Sequence, residues 1–406
     1  LAVHRWCAVC KVLERCTTTL NFADGNCPEM DSESMMRVVL AGGGHAHLAV
    51  LADWARKPFP ATRRWLVTSS RFTAYSGMVP GWLAGFYRAE DLTIDLAPLA
   101  ERAGAELVLA DVIGLDAEHR TLALSNGEAL AFDLLSLATG GETDTSTLAA
   151  AGQRLLPVRP MGGFIAEWQS RFAPDLPIPP REVVVVGGGA AGVELAFAMC
   201  AVHHDSAAKS RVSLVTAQER FLAGHDQRVR KLAKRALQER GIAVHFAQAV
   251  GAEGGLLLSN GRFLEADCIV AATGSRAPHW LAQSGLACTP EGFVAVGPDM
   301  RSLSHSAIFA AGDIIERADR RLERSGVHAV KAGPVLAANL RAALGEGAMR
   351  HYQPRRRTLY LLALGDGRAI CSWGSFVGMG RWAWRLKDWI DRSFVRRYRD
   401  PSTAPE

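Results

Sequence analysis

A stretch of seventeen residues occurs twice in this chain, 134 positions apart. Leu124-Ser-Asn-Gly-Glu-Ala-Leu-Ala-Phe-Asp-Leu-Leu-Ser-Leu-Ala-Thr-Gly140 aligns without gaps to Leu258-Ser-Asn-Gly-Arg-Phe-Leu-Glu-Ala-Asp-Cys-Ile-Val-Ala-Ala-Thr-Gly274, and nine positions are identical. Each copy reads as a strand, a tight turn at Asn126-Gly127 or Asn260-Gly261, a second strand, and a buried strand ending at Ala-Thr-Gly. Each also follows a glycine-rich strand-to-helix turn, so the chain holds two similar nucleotide-binding units. From residue 37 onward, short Val/Leu/Ile/Ala runs alternate with longer amphipathic stretches, the pattern of a parallel sheet covered by helices. The expected fold class is therefore α/β: two doubly wound, Rossmann-like dinucleotide-binding domains with β-hairpin insertions, plus a C-terminal amphipathic helical tail.

The second glycine-rich turn, Val183-Val-Val-Val-Gly-Gly-Gly-Ala-Ala-Gly-Val-Glu-Leu-Ala196, sets Gly187, Gly189 and Gly192 at full G-x-G-x-x-G spacing. Gly187 permits the tight turn, Gly189 lets backbone approach a pyrophosphate, and Gly192 lets helix and strand pack closely. The helix N-terminus supplies oriented N–H donors for the anion. An acid at the end of the next strand would favour a free ribose 2′-hydroxyl, but Val212-Ser-Leu-Val-Thr216 ends without one. Thr216 is followed by Glu219, suited to the hydroxyls, and Arg220, suited to a 2′-phosphate, so NADH against NADPH stays open here.

In the first turn, Val38-Val-Leu-Ala-Gly-Gly-Gly-His-Ala-His47, Gly42 and Gly44 are kept, but His47 stands where a third Gly or Ala is usual. Its imidazole either contacts a bound cofactor or packs inside. His45 is a loop residue or a cofactor contact. The following strand, Trp65-Leu-Val-Thr-Ser-Ser70, also lacks the ribose-binding acid, which leaves that role to Ser69, Ser70 or backbone groups.

With 49% hydrophobic and 21% charged residues among 406, and no apolar run of roughly 18, the chain reads as globular rather than as an integral membrane bundle. Residues 1–35 share no periodicity with the rest and read as a disordered leader. Cys7, Cys10, Cys16, Cys27 and His4 could hold zinc, but one Cys-x-x-Cys is weak and no metal site is assigned. The charge of +5 is local: residues 346–406 hold 12 Lys or Arg against 6 Asp or Glu. No basic stripe with interleaved aromatics points to nucleic acid, so none is expected as a partner. Within residues 381–399 there are 7 basic and 2 acidic side chains, and Trp373, Trp382, Trp384 and Trp389 are four of the 10 tryptophans. On a helix, Trp382, Leu386, Trp389, Ile390 and Phe394 would share a face, with Arg385, Lys387, Arg392, Arg396 and Arg399 as its rim. This is an interfacial composition suited to anionic headgroups, and the bland alternative is a helix docked on the body or on a second subunit.

Two glycine-rich turns, two Ala-Thr-Gly strand ends and Ala307-Ile-Phe-Ala-Ala-Gly312-Asp313 together resemble the pyridine nucleotide-disulfide oxidoreductase superfamily over residues 37–345. Gly42-Gly-Gly-His-Ala-His47, Tyr75-Ser-Gly-Met-Val-Pro-Gly81 and Val327-His-Ala-Val-Lys-Ala-Gly-Pro-Val-Leu336 are most similar to NADH dehydrogenase-like flavoproteins, of the type II kind, found fused ahead of selenide, water dikinase or alone. The resemblance implies FAD in the first unit and NAD(P)H in the second. It implies Asp313 on the ribityl chain of FAD, Tyr75 to Pro80 near the flavin ring, and Val330, Lys331 and Ala332 at its pyrimidine side. Thr139, Gly140, Thr273, Gly274 and Gly312 become cofactor contacts at strand ends. Lys331 stands where a Gln is usual, and either stabilises charge on the flavin or sits at the surface. Glu194 either faces the nicotinamide or is a first-turn carboxylate facing water.

No Cys-x4-Cys follows the first turn, which argues against a dithiol relay, and Cys200 and Cys268 read as core residues. The expected organisation is a leader at 1–35, an FAD-binding domain at 36–150 and 281–345, an NAD(P)H-binding domain at 151–280, and a docking region at 346–406. The expected activity is an FAD-dependent NAD(P)H dehydrogenase that reduces a quinone or other small acceptor. It would be cytoplasmic and peripheral on the inner face of the cell membrane, with a homodimer allowed. The competing readings are a redox sensor working through a protein partner, and a soluble reductase linked to selenium metabolism.

Overall fold

The computed structural model describes residues 35–58, 62–172, 180–202, 210–217, 219–322, 324, 326–354 and 357–399. The cysteine-bearing leader and its zinc question lie outside the described residues. Ten parallel strands build two sheets: β1 (Met36–Ala41), β2 (Thr62–Thr68), β3 (Glu106–Leu109), β4 (Leu134–Leu137), β5 (Leu155–Pro157), β6 (Glu182–Val186), β7 (Arg211–Thr216), β8 (Ala243–Phe246), β9 (Cys268–Ala271) and β10 (Ile308–Ala310). The first sheet runs β10-β4-β1-β2-β3 and the second β5-β9-β6-β7-β8, and every ladder in both is parallel. Their central strands are continuous apolar runs because both faces are covered. Val38, Val39, Leu40 and Ala41 of β1 have no exposed surface. The return of β10 to the first sheet makes that unit from two segments of chain, separated by the whole second unit.

The repeated seventeen residues share their turn and strand hydrogen bonds, although Asp133 also pairs with the Arg37 guanidinium while Asp267 takes a second backbone N–H, that of Arg181. Gly127 N–H donates to Leu124 O at 3.1 Å and Gly261 N–H to Leu258 O at 2.9 Å. The Asn side chain of each turn accepts at 3.1 Å from the residue two positions on. The shared aspartates do one job: Asp133 accepts from Arg37 N–H at 2.8 Å, and Asp267 from Glu182 N–H at 3.0 Å. Each thereby ties the strand ending at Ala-Thr-Gly to the start of the central strand. A short antiparallel ladder, Glu142–Thr143 against Ser275–Arg276, then joins the two Ala-Thr-Gly ends.

Four helices position the site: α1 (His45–Arg56) and α2 (Ala190–Val202) follow the glycine-rich turns, α3 (Gly326–Ala343) follows β10, and α4 (Arg381–Arg399) ends the described chain. Between α3 and α4 lies an antiparallel sheet of β11 (Leu359–Ala363), β12 (Ala369–Trp373) and β13 (Phe376–Gly380). The tail helix does not present the face expected from its sequence. It turns Ala383, Lys387, Asp391, Phe394, Val395 and Tyr398 into the body, while Trp382 and Trp389 stay 46% and 63% exposed. Lys387 and Phe394, expected on a rim and on a lipid-facing stripe, are both buried. The docked stripe wins because it follows an i, i+4 spacing completed by the aromatics Phe394 and Tyr398.

Candidate functional site

Both glycine-rich turns are closed by the strand that ends in Ala-Thr-Gly. Gly187 has φ +135°, and a Cβ there would collide with the Ala272 carbonyl. A Cβ on Gly192 would strike Gly187 O, so α2 sits against its own turn as the motif requires. At Gly189 a Cβ would meet nothing within 4 Å, leaving backbone open to an approaching phosphate beside the N-terminus of α2.

In the first unit both ring nitrogens of His47 are used within the fold. Nδ1 lies 2.6 Å from Gly42 O and Nε2 2.9 Å from the Ser136 hydroxyl. The side chain has no exposed surface, and burial pushes its pKa down to about 4, so the ring is neutral and braces the turn against β4. His45, two residues earlier at the start of α1, points to a different set of neighbours. Burial likewise lowers it to about 4, partly opposed by the charge of Asp313. Its ring meets Tyr75 edge-on at 5.5 Å and Phe394 at 5.9 Å. Asp313, on the short helical turn Gly312–Ile314, pairs with Arg159 at 3.0 Å. A Cβ on Gly141 would lie 3.6 Å from Cβ of Asp313, which places the end of β4 and the Gly312 turn side by side.

His45 thus lies near both Tyr75 and Asp313, and Asp313 stands beside the strand end at Gly140 and Gly141. His45 Nε2, Thr139 Oγ1 and Ser275 Oγ are buried without a hydrogen-bond partner among the described residues. Buried polar atoms are ordinarily paired, so these three fit a ligand rich in phosphate, hydroxyl and ring heteroatoms. A flavin dinucleotide meets that description. Ser69 is exposed beyond β2, whereas Pro80 is buried in the helix Val79–Leu83, which packs against α2. Lys331 is half-buried on the first half of α3, and a Cβ at the helix start, Gly326, would lie 3.1 Å from the Ser76 hydroxyl oxygen.

Where the units meet, four ionisable side chains from three parts of the chain converge. Lys387 Nζ of α4 donates to Gly77 O and to Asp391 Oδ2, each at 2.7 Å, and both side chains are under 10% exposed. Asp391 also takes a hydrogen bond from Tyr75, whose ring stacks on Phe394 at 4.2 Å. Glu194 of α2 accepts from Ala363 N–H of β11 at 2.8 Å. Burial raises Glu194 to about 7, opposed by Lys387 and by that N–H, and reinforced by Asp391. Burial works against the Lys387 charge, yet Asp391 and Glu194 outweigh it and hold the ammonium above its usual range. Burial also raises Asp391 and Tyr75. Glu194 therefore faces this cluster rather than water.

Sequence reasoning missed Lys387 and Asp391, because a Lys and an Asp four apart on a basic helix read as an exposed pair. The available signal was their register with Ala383, Val395 and Tyr398. Cys268 is buried, which pushes its thiol up to about 12, and no grouping of His, Cys, Asp and Glu suited to a metal occurs among the described residues.

A family model described as pyridine nucleotide-disulphide oxidoreductase matches residues 36–333. An NADH dehydrogenase-like protein of Mycobacterium tuberculosis is 27% identical over 297 residues, 69% of this chain and 73% of that one. Among solved structures, the sulfide:quinone oxidoreductase of Aquifex aeolicus superposes with a TM-score of 0.74 at 17% identity, covering 91% of this chain and 93% of its own. A ferredoxin reductase from Rhodopseudomonas palustris gives 0.67 at 22% identity, covering 82% and 81%. These two establish likeness of fold.

Proposed function

The chain belongs to the pyridine nucleotide-disulphide oxidoreductase family, an NADH dehydrogenase-like flavoprotein with FAD and NAD(P)H as cofactors, and from that premise we propose that it passes electrons from NAD(P)H to a quinone-type acceptor. FAD, when bound, supplies the capacity to take up a hydride and release two electrons. The chain's own residues bind, orient and manage protons. The Gly187–Gly192 turn and the N-terminus of α2 would hold the nicotinamide dinucleotide, and the cleft at Gly42, Gly44, His45, Thr139, Gly140 and Asp313 would hold FAD. Lys331, half-buried on the first half of α3, would face the ring system.

The observation that carries the acceptor reading is the buried cluster of Tyr75, Glu194, Lys387 and Asp391. A quinone taking up two electrons also needs two protons, and a carboxyl raised to about 7 beside a buried ammonium is suited to holding one at neutral pH. Disulfide chemistry has no comparable support: no Cys-x4-Cys follows the first glycine-rich turn. The test is an anaerobic titration of the purified flavoprotein with NADH and then NADPH, followed at the visible flavin band, with a short-chain quinone added last. Bleaching and recovery are expected. Bleaching without recovery would overturn the quinone assignment, and a flavin that no nicotinamide bleaches would overturn the dehydrogenase reading itself.

A further inference from the structure

We infer that the second unit selects NADPH over NADH, through Arg220 with help from Arg230. The inference rests on reading that unit as the nicotinamide-binding one. Thr216 ends β7 at the position from which a carboxylate would grip ribose hydroxyls. Gly187 N–H donates to Val215 O at 2.8 Å, which sets Thr216 beside Gly188. The Thr216 side chain is 2% exposed, and its Oγ1 is the nearest atom to where a Cβ on Gly188 would stand. Thr216 is thus turned against the glycine-rich turn, and the rim of the adenosine site carries no strand-end carboxylate to bind hydroxyls or to repel a 2′-phosphate.

The chain beyond β7 is then folded back over that turn. Leu222 N–H donates to Gly188 O at 2.7 Å, and Cα of Phe221 would lie 3.4 Å from a Cβ on Gly188. Leu222 has φ +51°, a left-handed conformation that a branched residue adopts only when its surroundings hold it there. Its burial at 1% exposed and the His225 N–H bond to Leu222 O at 3.0 Å hold it there. The consequence is that Arg220, exposed and one residue before Phe221, stands at the mouth of the adenosine site. Arg230 reaches back from the first turn of the helix Gln227–Glu239 to His225 O, which brings a second guanidinium to the same loop.

Charge balance decides between Arg220 and its neighbour Glu219. Residues 216–234 hold five basic side chains and two carboxylates. One of those carboxylates, Asp226, is already committed to the N–H of Arg228 at 2.8 Å and to its guanidinium at 3.1 Å. Asp226 also acts on Arg230, and Glu219 is the other carboxylate of the segment, so the loop keeps a net positive charge centred on Arg220, and a dianionic 2′-phosphate on such a loop gains charge-assisted hydrogen bonds that a hydroxyl cannot. The first unit shows the same threonine at the end of β2, where Thr68 Oγ1 would lie 3.1 Å from a Cβ on Gly43, but Ser69 and Ser70 follow it in place of an arginine.

The experiment is calorimetric binding of 2′,5′-ADP and of ADP to the flavin-loaded protein, which reads the adenosine site without turnover. Wild type is expected to bind 2′,5′-ADP at least tenfold more tightly, with a preference that shrinks as salt is raised. Arg220→Ala should bring the ratio of the two affinities close to one, and Thr216→Asp should invert it; retained flavin absorbance verifies that each variant is folded. Equal or tighter binding of ADP by wild type, or a preference untouched by both Arg220→Ala and Arg230→Ala, overturns the inference. A clear 2′,5′-ADP preference in a protein that fails to reduce quinone would remove the acceptor reading and leave this one standing.

Discussion

Glu194 is held by opposing forces whose balance can be moved one side chain at a time. Burial raises it to about 7, and Lys387 holds it down. A carboxyl that donates its proton to an acceptor does so below that value, so the rate of quinone reduction should fall as pH rises through about 7. Glu194→Gln should be slower and flat across that range, while hydride uptake from the nicotinamide, followed by flavin bleaching, continues. Lys387→Met removes the charge that lowers Glu194, so the falling limb should move to higher pH. That variant should also lose about 3 kcal/mol in urea, since it leaves Asp391 buried without its counter-charge. Stability has its own sign. The folded state holds the Glu194 proton more tightly than the unfolded chain, whose carboxyl titrates near 4.5, so this contribution is full below about 4.5 and fades as pH climbs to about 7. Asp313 belongs to the other cleft: Asp313→Ala should lower FAD retention on gel filtration, and a variant that stays fully flavinated would remove its assigned role.

Among the elements, the repeated segment was legible because each of its residue types has a local physical task. Asn-Gly makes a turn, alternating apolar residues make the two strands, and the shared aspartates anchor the central strands. Asp133→Ala and Asp267→Ala should therefore cost similar amounts, about 1–2 kcal/mol each, in chemical denaturation. Strongly unequal losses would show that the two copies no longer use the aspartate alike. The glycine-rich turns were legible for the same reason. His47 was left open between two roles, since a ring beside a phosphate and a ring bridging Gly42 O to Ser136 give the same sequence. The ring bridge depends on a residue 89 positions away, which no local pattern contains. The inner face of α4 was hidden by a related cause: charge on a helix reads as solvated unless a partner in another element buries it.

Across the whole molecule, α4 has two working sides. Within five residues it turns Lys387 and Asp391 inward to the junction of the units and Trp389 outward. Trp382 and Trp389 of α4 and Trp373 and Phe376 of the β12–β13 hairpin are exposed by 46–63%, and the Phe376 and Trp382 rings are 5.9 Å apart. Arg381 and Arg385 are exposed on the same helix. No helix among the described residues is long and apolar enough to cross a membrane, so contact with lipid through this patch would be interfacial. An acceptor dissolved in lipid would then lie about one helix diameter, roughly 10 Å, from the buried cluster. The protein should co-sediment with phosphatidylglycerol vesicles, less with phosphatidylcholine, and less again in high salt. Replacing Trp373 or Trp389 by Ser removes side chains that touch little of the body, so flavin content should hold while vesicle binding falls about tenfold for each, the equivalent of about 1.4 kcal/mol. Binding that survives the double replacement would mean that the aromatic patch faces something other than lipid, and the junction cluster would then have to receive its acceptor from water.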